Sequence, residues 1–197
     1  IVYHSVDNAG NAEADKTVHA KLDTTNPVTT DDIPAGGSKI DFTVNLGCTD
    51  ALSGCNRTYY RVDDAGDTVP WTEGNSFNIT TEGNHKVEYF SVDNASNREA
   101  GKTTSAVLDK TAPSISSIAP SGTIITTAAN VSAYFSDGGS GIDSASASLT
   151  WDGTVLTGCT ASASSISCPQ TGLPQGSHTI GVSVADSAGN VTTSLGT

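Results

Sequence analysis

Hydrophobic and polar residues alternate along much of this chain with a period of two, which is typical of half-buried β-strands. Within residues 39–46, for example, Ile40, Phe42, Val44 and Leu46 share one face, and the residues between them are polar. No stretch keeps a helical period over several turns. The pattern predicts an all-β chain with strands near 39–46, 58–63, 76–80, 85–92 and 102–108, and then near 115–118, 130–135, 146–151, 165–168 and 178–185.

A long block of sequence occurs twice. Residues 1–27, IVYHSVDNAGNAEADKTVHAKLDTTNP, return as residues 87–113 with 16 of 27 positions identical. A weaker third copy aligns residues 83–97 with residues 176–190. The period of about 90 residues is close to the size of one small β-sandwich. The chain is therefore predicted to be a slice of a tandem array.

The repeats divide the chain into three units. We expect residues 1–26 to be the C-terminal hairpin of a preceding repeat, residues 27–112 a complete repeat, and residues 113–197 a second, divergent repeat with a clipped last strand. Two equivalent linkers end at Pro27 and Pro113. Because proline stiffens the backbone, neighbouring units should be held nearly end to end. Arrays of this kind are usually spacers or adhesive stalks, not enzymes.

The N-terminal segment is expected to be a hairpin with its turn at Asp7–Asn11, and a lone hairpin is only marginally stable in water. The hairpin has an unpaired edge, and so does the clipped last strand. We expect these edges to pair with neighbouring repeats or with copies of the chain, because unpaired edges recruit further strands. Polymerisation into a filament by strand exchange is one interpretation. A chain boundary that falls inside a domain is the other.

The formal net charge of −12 disfavours nucleic-acid binding, because phosphate backbones would be repelled. An acidic surface suits a soluble secreted protein, and it also offers ligands for divalent cations. No apolar run approaches the length of a transmembrane helix, so membrane insertion of this segment is not expected. The chain begins with Ile1 and contains no Met, as expected of a mature or excised fragment.

Four cysteines fall into two close pairs, Cys48 with Cys55 and Cys159 with Cys168. Of the three possible disulfide connectivities, a local bond within each pair is the simplest. The spacings are wrong for a zinc site, and no histidine lies nearby at ligand spacing. Disulfides indicate an oxidising compartment, so we expect an extracellular or cell-surface location, or a periplasm.

Several motifs resemble the immunoglobulin-like tandem repeats of large bacterial secreted and cell-surface proteins. They are YYRVDDAGDTVPW at 59–71, EGNHKVEYFSVDNASN at 82–97, the linker DKTAP and the loop DALSG at 50–54, while DGGSGI at 137–142 and DSAGN at 186–190 resemble a broader class. The resemblance implies tandem immunoglobulin-like β-sandwiches of seven strands. It also implies extracellular roles in adhesion, in stalk extension or as accessory modules of secreted glycosidases, and it implies no catalytic residues.

The same topology predicts where a metal could bind. In an immunoglobulin-like sandwich the preceding linker, the B–C loop and the F–G loop gather at one end. This brings together Asp109, Asp137, Asp143, Asp186 and Asn190 in the second repeat, and Asp23, Asn26, Asp50, Asp93 and Asn97 in the first. Calcium takes about six to eight oxygen ligands, several of them charged, so an ion that stiffens the joint is one hypothesis. The alternative is that these side chains only bond backbone amides in turns.

Other candidate sites give weaker signals. His85 and His178 occupy equivalent positions, two residues after a Gly, which favours a role in holding a turn. No histidine lies in a recognisable nucleophile motif. The Asn-x-Ser/Thr sequons at Asn56, Asn78 and Asn130 are candidate glycosylation acceptors, whereas those at Asn94 and Asn190 lie in predicted tight turns.

These observations favour a non-catalytic extracellular structural or adhesive module, part of a rod-like surface stalk or filament. The alternative is a carbohydrate-binding accessory module of a secreted glycoside hydrolase, in which Trp71, Trp151, Tyr59 and Tyr60 stack on sugar rings. Surface glycans or proteins are further candidate partners. An enzyme is not expected, because the sequence offers no nucleophile, metal triad or cofactor loop.

Overall fold

Strands make up the regular structure of residues 1–196, the part of the chain that this computed structural model describes. The all-β prediction is confirmed. The strands form a two-stranded hairpin and two pairs of larger sheets, and each pair is a β-sandwich. Within the same residues no helix is long and apolar enough to cross a membrane.

Residues 1–23 form the N-terminal hairpin, in which β1 (Val2–Tyr3) pairs with β2 (Lys16–Thr17). Its turn is held by one aspartate. Asp7 accepts hydrogen bonds from the backbone N–H and from the side-chain amide of Asn11, both at 2.9 Å. Side-chain bonds of this kind replace the missing backbone partners of a turn.

Seven strands make the first sandwich. One sheet has the order β3 (Val28–Asp31), β4 (Phe42–Thr49), β7 (Ser76–Ile79), and the other has the order β6 (Thr72–Glu73), β5 (Cys55–Val62), β8 (Gly83–Asp93), β9 (Lys102–Leu108). The core between the two sheets contains Val44, Leu46, Ile79, Val87, Tyr89, Ala106 and Leu108. Core residues recur at every second position because successive side chains of a strand point to opposite faces.

Eight strands make the second sandwich. One sheet has the order β10 (Ser114–Ala119), β11 (Ala128–Ser136), β15 (Ser165–Thr171), β14 (Thr160–Ala161), and the other has the order β13 (Thr154–Val155), β12 (Ile142–Trp151), β16 (Ile180–Asp186), β17 (Val191–Gly196). Its core contains Val131, Ala133, Phe135, Leu149, Ile166, Cys168, Ile180, Val182 and Val184. The two cores share no residue, so each sandwich is stabilised by its own.

The observed strands differ from the predicted ones in two respects. β4 begins at Phe42 and leaves Ile40 outside it, 67 % exposed. Hydrogen bonds between Ser38 Oγ and the backbone of Ile40 hold a bend at this point. The pattern also misses β3, β6, β13 and β14, because runs of two to four residues are too short for a period of two to stand out.

The last strand, β17, is shorter than its counterpart β9 in the first sandwich. β17 pairs with β16 at six consecutive positions, from Ile180 with Gly196 to Ala185 with Val191. In the first sandwich the pair that corresponds to Ile180 with Gly196 is Val87 with Thr104, and β9 continues beyond it to Leu108, which pairs with Gly83. Thr197 lies outside the described residues.

Each sandwich has two ends that carry different loops. At the linker end lie the preceding linker, the loop that follows the second strand (β4 or β11) and the turn that precedes the last strand (β9 or β17). These segments meet because neighbouring strands are antiparallel. The opposite end, the far pole, carries the β10–β11, β12–β13 and β15–β16 loops in the second sandwich.

Candidate functional site

A cluster of three aspartates lies at the linker end of each sandwich. The first triad is Asp23, Asp50 and Asp93, and the second triad is Asp109, Asp137 and Asp186. In each triad the nearest carboxylate oxygens all lie within 4.8 Å of one another. Asp93, Asp109 and Asp186 are buried. Every triad takes one member from the linker, one from the loop after the second strand, and one from the turn before the last strand.

The linker aspartate makes the same contacts at both junctions. Asp23 Oδ2 accepts a hydrogen bond from the backbone N–H of Ser53 at 2.9 Å, and Asp109 Oδ2 accepts one from Ser140 at 2.6 Å. Oδ1 of each linker aspartate accepts a hydrogen bond from the backbone N–H two residues further on, at 2.9 Å for Asp23 and 3.1 Å for Asp109. The repeat in sequence is therefore also a repeat of hydrogen bonds.

The turn aspartate is held by an asparagine four residues later. Asp186 accepts hydrogen bonds from the backbone N–H of Asn190 at 2.8 Å and from its side-chain amide at 2.7 Å. The same amide donates to the backbone carbonyl of Asp109 at 2.8 Å. Asp93 and Asn97 repeat the arrangement, with a bond of 3.1 Å to the carbonyl of the first linker aspartate. The Asp-x-x-x-Asn turn thus ties each linker to the sandwich that follows it.

The loop aspartate of each triad has one oxygen without a partner. Asp50 Oδ1 accepts the backbone N–H groups two and four residues on, at 3.1 and 2.7 Å. Asp137 Oδ2 does the same at 3.0 and 2.8 Å. The second oxygen of each carboxylate is buried and has no hydrogen-bond partner. An unpaired buried acceptor costs about 1–3 kcal/mol, and more when it is charged.

Neither triad is neutralised by an ion pair within residues 1–196. In the described part of the chain, no ion pair includes any of the six carboxylates. Burial raises the pKa of Asp109, but hydrogen bonds from Ser140 and Thr111 outweigh it and bring the pKa below its usual value. Hydrogen bonds, chiefly with Ser53, lower the pKa of Asp23. Both linker carboxylates are therefore ionised at neutral pH and lie beside other acidic groups.

The loop backbone approaches the Asp109 carboxylate closely at Gly139. A Cβ at Gly139 would lie 2.4 Å from Cγ of Asp109. At Gly138, the neighbouring residue, an added Cβ would meet nothing within 4 Å. At the first junction Leu52 holds the position equivalent to Gly139, and the N–H that follows it, of Ser53, makes the same bond to Asp23.

The junction between the sandwiches also contains direct contacts. Lys39 Nζ, from the first sandwich, donates to the carbonyl of Gly189 in the second at 3.1 Å. Glu82 Oε1 accepts a hydrogen bond from the hydroxyl of Thr111 in the linker at 2.6 Å. A Cβ added at Gly36 would lie 2.5 Å from a carbonyl oxygen of the same turn that contains Gly189. A turn of the second sandwich therefore packs against the far pole of the first.

The predicted metal-site residues are only partly brought together. The three aspartates of the second triad meet, with Asn190 beside them. Asp143 does not: it lies within β12, it is exposed, and its Oδ1 accepts the backbone N–H of Ala145 at 3.0 Å. Asn26 in the first linker is also exposed. The structure therefore does not bring Asp143 to the predicted metal site, and its carboxylate accepts a hydrogen bond from the neighbouring backbone instead.

Both predicted disulfides are present, Cys48–Cys55 and Cys159–Cys168. The first joins the end of β4 to the start of β5 and so closes the loop that carries Asp50. The second ties β15 to the segment before β14. The first disulfide therefore constrains one member of the first triad.

The predicted glycosylation acceptors Asn56, Asn78 and Asn130 are exposed, which glycosylation requires, and their modification stays a prediction. The other two sequons have structural roles. The side-chain amide of Asn94 donates a hydrogen bond to the backbone carbonyl of Ser53 at 2.9 Å. Asn190 holds the turn described above.

All four aromatic residues proposed to stack on sugars pack against other side chains. Tyr60 stacks on a phenylalanine beside the core, with 4.5 Å between ring centroids. Tyr59 stacks on Phe90 at 5.1 Å, and Trp71 packs edge-on against the same ring at 4.7 Å. The Arg61 guanidinium lies 4.4 Å above the Trp71 ring. Trp151 lies 4.8 Å from the His178 ring, packs beside the core of the second sandwich and lines a cleft.

The two sandwich histidines hold equivalent turns, which confirms the role predicted for them. His85 Nδ1 lies 2.7 Å from Asp63 Oδ2, and its Nε2 lies 2.7 Å from the carbonyl oxygen four residues upstream. His178 Nδ1 lies 2.6 Å from Asp152 Oδ2, and its Nε2 lies 3.1 Å from the carbonyl oxygen of Pro174. Both nitrogens of each ring are therefore occupied, and neither ring is free to act as a general base.

Comparisons with known proteins identify no family for this chain. No family model and no curated protein matches the chain. Among solved structures it is similar to the fibronectin(III)-like modules of CbhA from Clostridium thermocellum, with 15 % sequence identity and a TM-score of 0.47, over 85 % of this chain and 91 % of that one. The strand order, three or four strands facing four, makes the chain a tandem of immunoglobulin- or fibronectin-III-type β-sandwiches.

Proposed function

We propose that this chain is a non-catalytic extracellular spacer, in which a calcium ion at each junction holds successive β-sandwiches end to end in a rod-like stalk. The proposal is carried by one observation: the same aspartate triad recurs at both junctions, each time with a buried carboxylate oxygen that has no partner. The two disulfides support an oxidising, extracellular setting.

The unpartnered oxygens favour a cation site over a set of turn-capping side chains. Backbone N–H groups account for one oxygen of Asp50 and one of Asp137. A capping role alone would leave the second oxygen in water, where it costs nothing. Here that oxygen is buried among like charges. A cation gives it a partner and removes the repulsion among the three carboxylates.

Calcium suits this donor set better than zinc or magnesium does. The triads offer carboxylate oxygens, which are hard ligands, and contain no cysteine or histidine. Calcium accepts about six to eight oxygens in an irregular arrangement, whereas magnesium demands a nearly ideal octahedron. Backbone carbonyls and water would supply the ligands beyond the three carboxylates.

An ion at this place joins two structural units. In the second triad Asp109 directly follows the last strand of the first sandwich, whereas Asp137 and Asp186 belong to the second sandwich. An ion that binds all three therefore crosslinks the units across the linker. Without the ion the charges repel one another, and the linker hinges more freely. The stiffness of the rod would then follow the calcium concentration outside the cell.

Neighbouring sandwiches are the partners that this function needs. In the N-terminal hairpin Ile1, Tyr3 and Leu22 are 79, 49 and 86 % exposed, whereas the corresponding residues of the repeat, in β8 and β9, are at most 4 % exposed. The hairpin also has the register of β8 with β9, since Tyr3 pairs with Lys16 as Tyr89 pairs with Lys102. Its apolar face therefore suits the inner sheet of a neighbouring repeat or of a second copy.

Thermal unfolding with added calcium tests the proposal. Millimolar calcium should raise the melting temperature by roughly 5 °C or more, because an ion that binds only the folded state stabilises it. Asp137→Asn keeps a hydrogen-bond acceptor but removes one charge of the second triad, so it should reduce the calcium-dependent rise. Asp143→Asn, in a residue that lies outside the triad, is the matched control and should leave the rise unchanged.

Small-angle scattering tests the mechanical half of the proposal. With calcium the particle should be elongated and scatter as a stiff rod; with a chelator the same particle should show interdomain flexibility. The proposal fails if calcium leaves both the melting temperature and the scattering unchanged, or if Asp137→Asn and Asp143→Asn respond alike. Magnesium at the same concentration should give a smaller shift.

A further inference from the structure

A buried polar cluster fastens the first strand of the first sandwich to its last strand. Thr29 of β3 is 1 % exposed, and its hydroxyl donates a hydrogen bond to the carboxylate of Glu99, just before β9. The backbone N–H of Thr29 donates to the other oxygen of that carboxylate at 3.1 Å. Lys102, the first residue of β9, lies 3.3 Å from the Glu99 carboxylate and donates to the backbone carbonyl of Thr29. We call Thr29, Glu99 and Lys102 the strand latch.

The interior of the sandwich completes the strand latch. Ser91 donates its backbone N–H to Glu99 at 2.8 Å, and its hydroxyl lies 2.6 Å from that of Thr29 and 2.8 Å from that of Thr58. Burial raises the pKa of Glu99, but hydrogen bonds from Thr29, Ser91 and Lys102 outweigh it and bring the pKa below its usual value. The carboxylate is therefore ionised at neutral pH, in a place where water has little access to its bonds.

The two strands that the latch joins run in the same direction. At the far pole Ser38, which follows β3, forms a parallel bridge with the end of β9: its N–H donates to the carbonyl of Val107 at 3.0 Å, and its carbonyl accepts the N–H of Asp109 at 2.9 Å. The chain enters the sandwich at β3 and leaves it after β9. Tension along the chain therefore pulls the two strands in opposite directions, and the bonds between them are loaded together instead of opening one after another.

We propose that the strand latch bears the tension on the stalk and sets the force at which the first sandwich unfolds. This inference rests on the proposed spacer function, since only a chain that is pulled along its length loads the latch. Forced unfolding is governed by the rate at which the strands separate, not by equilibrium stability. Separation of β3 from β9 leaves a buried carboxylate without its partners, which is costly and makes that step slow.

The fold itself does not require a latch. Residues 114–197 contain no Glu, Lys or Arg, yet they form the second sandwich. There Ile115 follows the linker proline by two residues, as Thr29 does in the first sandwich, and it packs beside the core. Apolar residues often replace a buried ion pair without loss of equilibrium stability. A role in resisting force accounts for an ion pair that folding alone does not need.

The N-terminal hairpin repeats the charged half of the latch. Lys16 Nζ lies 2.8 Å from Glu13 Oε2, and the N–H of Ser5 donates to Glu13 Oε1 at 3.1 Å, as Ser91 does to Glu99. In the hairpin these side chains are exposed. The cluster is therefore a feature of this repeat type, and the hairpin offers a matched pair of charges that lies outside the loaded strands.

Single-molecule force spectroscopy on the whole chain tests the proposal. Click-reactive handles at Thr24 and Ala112, which are both exposed linker residues, apply the force to the first sandwich alone, with a chelator present throughout. Glu99→Gln should raise the unfolding rate at a given force at least about tenfold, because it breaks a buried ion pair. Lys102→Met keeps an unbranched side chain without the charge and should raise the rate roughly threefold.

Two control variants separate the latch from general stability. Ile79→Ala leaves a cavity in the core at β7, at the opposite edge of the sheet from β3. In urea it should destabilise the sandwich at least as much as Glu99→Gln does, but it should change the unfolding rate under force less than about threefold. Glu13→Gln removes the equivalent charge from the hairpin and should change neither quantity.

The proposal is overturned if a folded Glu99→Gln variant unfolds under force as the parent chain does, or if its rate rises no more than that of Ile79→Ala. An equal effect of Glu13→Gln would also overturn it, because the cause would then be charge in general. If Glu99→Gln does not fold, Lys102→Met decides in the same way. A missing calcium response would remove the proposed junction ions and leave this test intact, because the handles bracket a single sandwich in chelator.

Discussion

The side-chain amide of Asn190 donates to the backbone carbonyl of Asp109 at 2.8 Å and so fastens the linker to the turn of the sandwich that follows. Asn97 makes the equivalent bond to Asp23 at 3.1 Å. In the N-terminal hairpin Asn11 occupies the same position of the turn and bonds its own aspartate. One short motif therefore closes a turn in three places and joins a linker to a sandwich in two of them.

Replacing the junction asparagine should cost more than replacing its counterpart in the hairpin. Asn190→Ala removes hydrogen bonds to Asp109 and Asp186 and leaves partly buried acceptors unpaired, so the second sandwich should lose about 1–3 kcal/mol of stability. Urea unfolding measures the loss. Asn11→Ala removes a similar bond from an exposed hairpin and should leave the unfolding of both sandwiches unchanged. Equal effects of the two substitutions would contradict a special role for the junction.

Two adjacent glycines should respond very differently to alanine. In Gly139→Ala the new methyl group would overlap the Asp109 carboxylate, so the loop or the linker must move, at a cost of about 1–3 kcal/mol. The movement should also weaken the proposed calcium site. Gly138→Ala meets nothing within 4 Å and should change stability by less than about 0.5 kcal/mol.

Calorimetric unfolding with and without calcium separates these two variants. We expect Gly139→Ala to lose part of the calcium-dependent rise, and Gly138→Ala to keep it. A calcium response that survives intact in Gly139→Ala would mean that the Asp109 carboxylate is not a ligand.

The sequence predicts the strand architecture well because alternation and repetition are properties of the chain itself. The repeat of residues 1–27 in residues 87–113 predicts both linkers and the turn aspartate Asp93, and the weaker copy at residues 176–190 predicts Asp186. Two close cysteine pairs likewise predict two local disulfides, and the structure contains them.

Side-chain direction within a loop is harder to predict. Asp137 and Asp143 are both acidic and lie near the same end of β12, but a strand begins between them at Ile142. Asp143 therefore pairs with Ala185 in the sheet, whereas Asp137 stays in the loop and turns toward the linker. The unpartnered indole N–H of Trp151 is equally invisible in sequence, because it depends on which loops surround it.

Removing the first disulfide should destabilise the first sandwich and weaken the first triad. The Cys48–Cys55 bond closes a short loop, for which loop-closure entropy gives roughly 2–3 kcal/mol. The double substitution Cys48→Ser/Cys55→Ser should lose about this amount in urea unfolding. It should also lower the calcium affinity of the triad that contains Asp50. Cys159→Ser/Cys168→Ser, in the other sandwich, should leave the first triad unchanged.

Calcium titration of the two double variants measures this coupling between disulfide and triad. If both bind calcium as the parent chain does, the disulfide stabilises the sandwich without shaping the site. If only the first double variant binds more weakly, the loop it closes is part of the site.

The two sandwich histidines should make stability depend on pH near neutrality. The hydrogen bond to Asp152 raises the pKa of His178 above its ordinary value of 6.5, against the opposing effect of burial. For His85 burial lowers the pKa, but the hydrogen bonds to Asp63 and to the carbonyl of Thr81 outweigh it, and the pKa is raised. Each ring has an acceptor on both nitrogens, and only the doubly protonated imidazolium can donate to both.

The sign of the pH effect follows from these shifts. Because the folded pKa values lie above the unfolded value of about 6.5, the stabilisation is fully present below pH of about 6.5 and is lost as pH rises through the folded pKa. The melting temperature should therefore fall between about pH 6 and pH 8. Replacing both residues, in His85→Gln/His178→Gln, should flatten this part of the profile. NMR titration of the two imidazoles reports their pKa values directly. A melting temperature that rises over the same interval in the original chain, and not in the double variant, would show that these rings are neutral in the folded state.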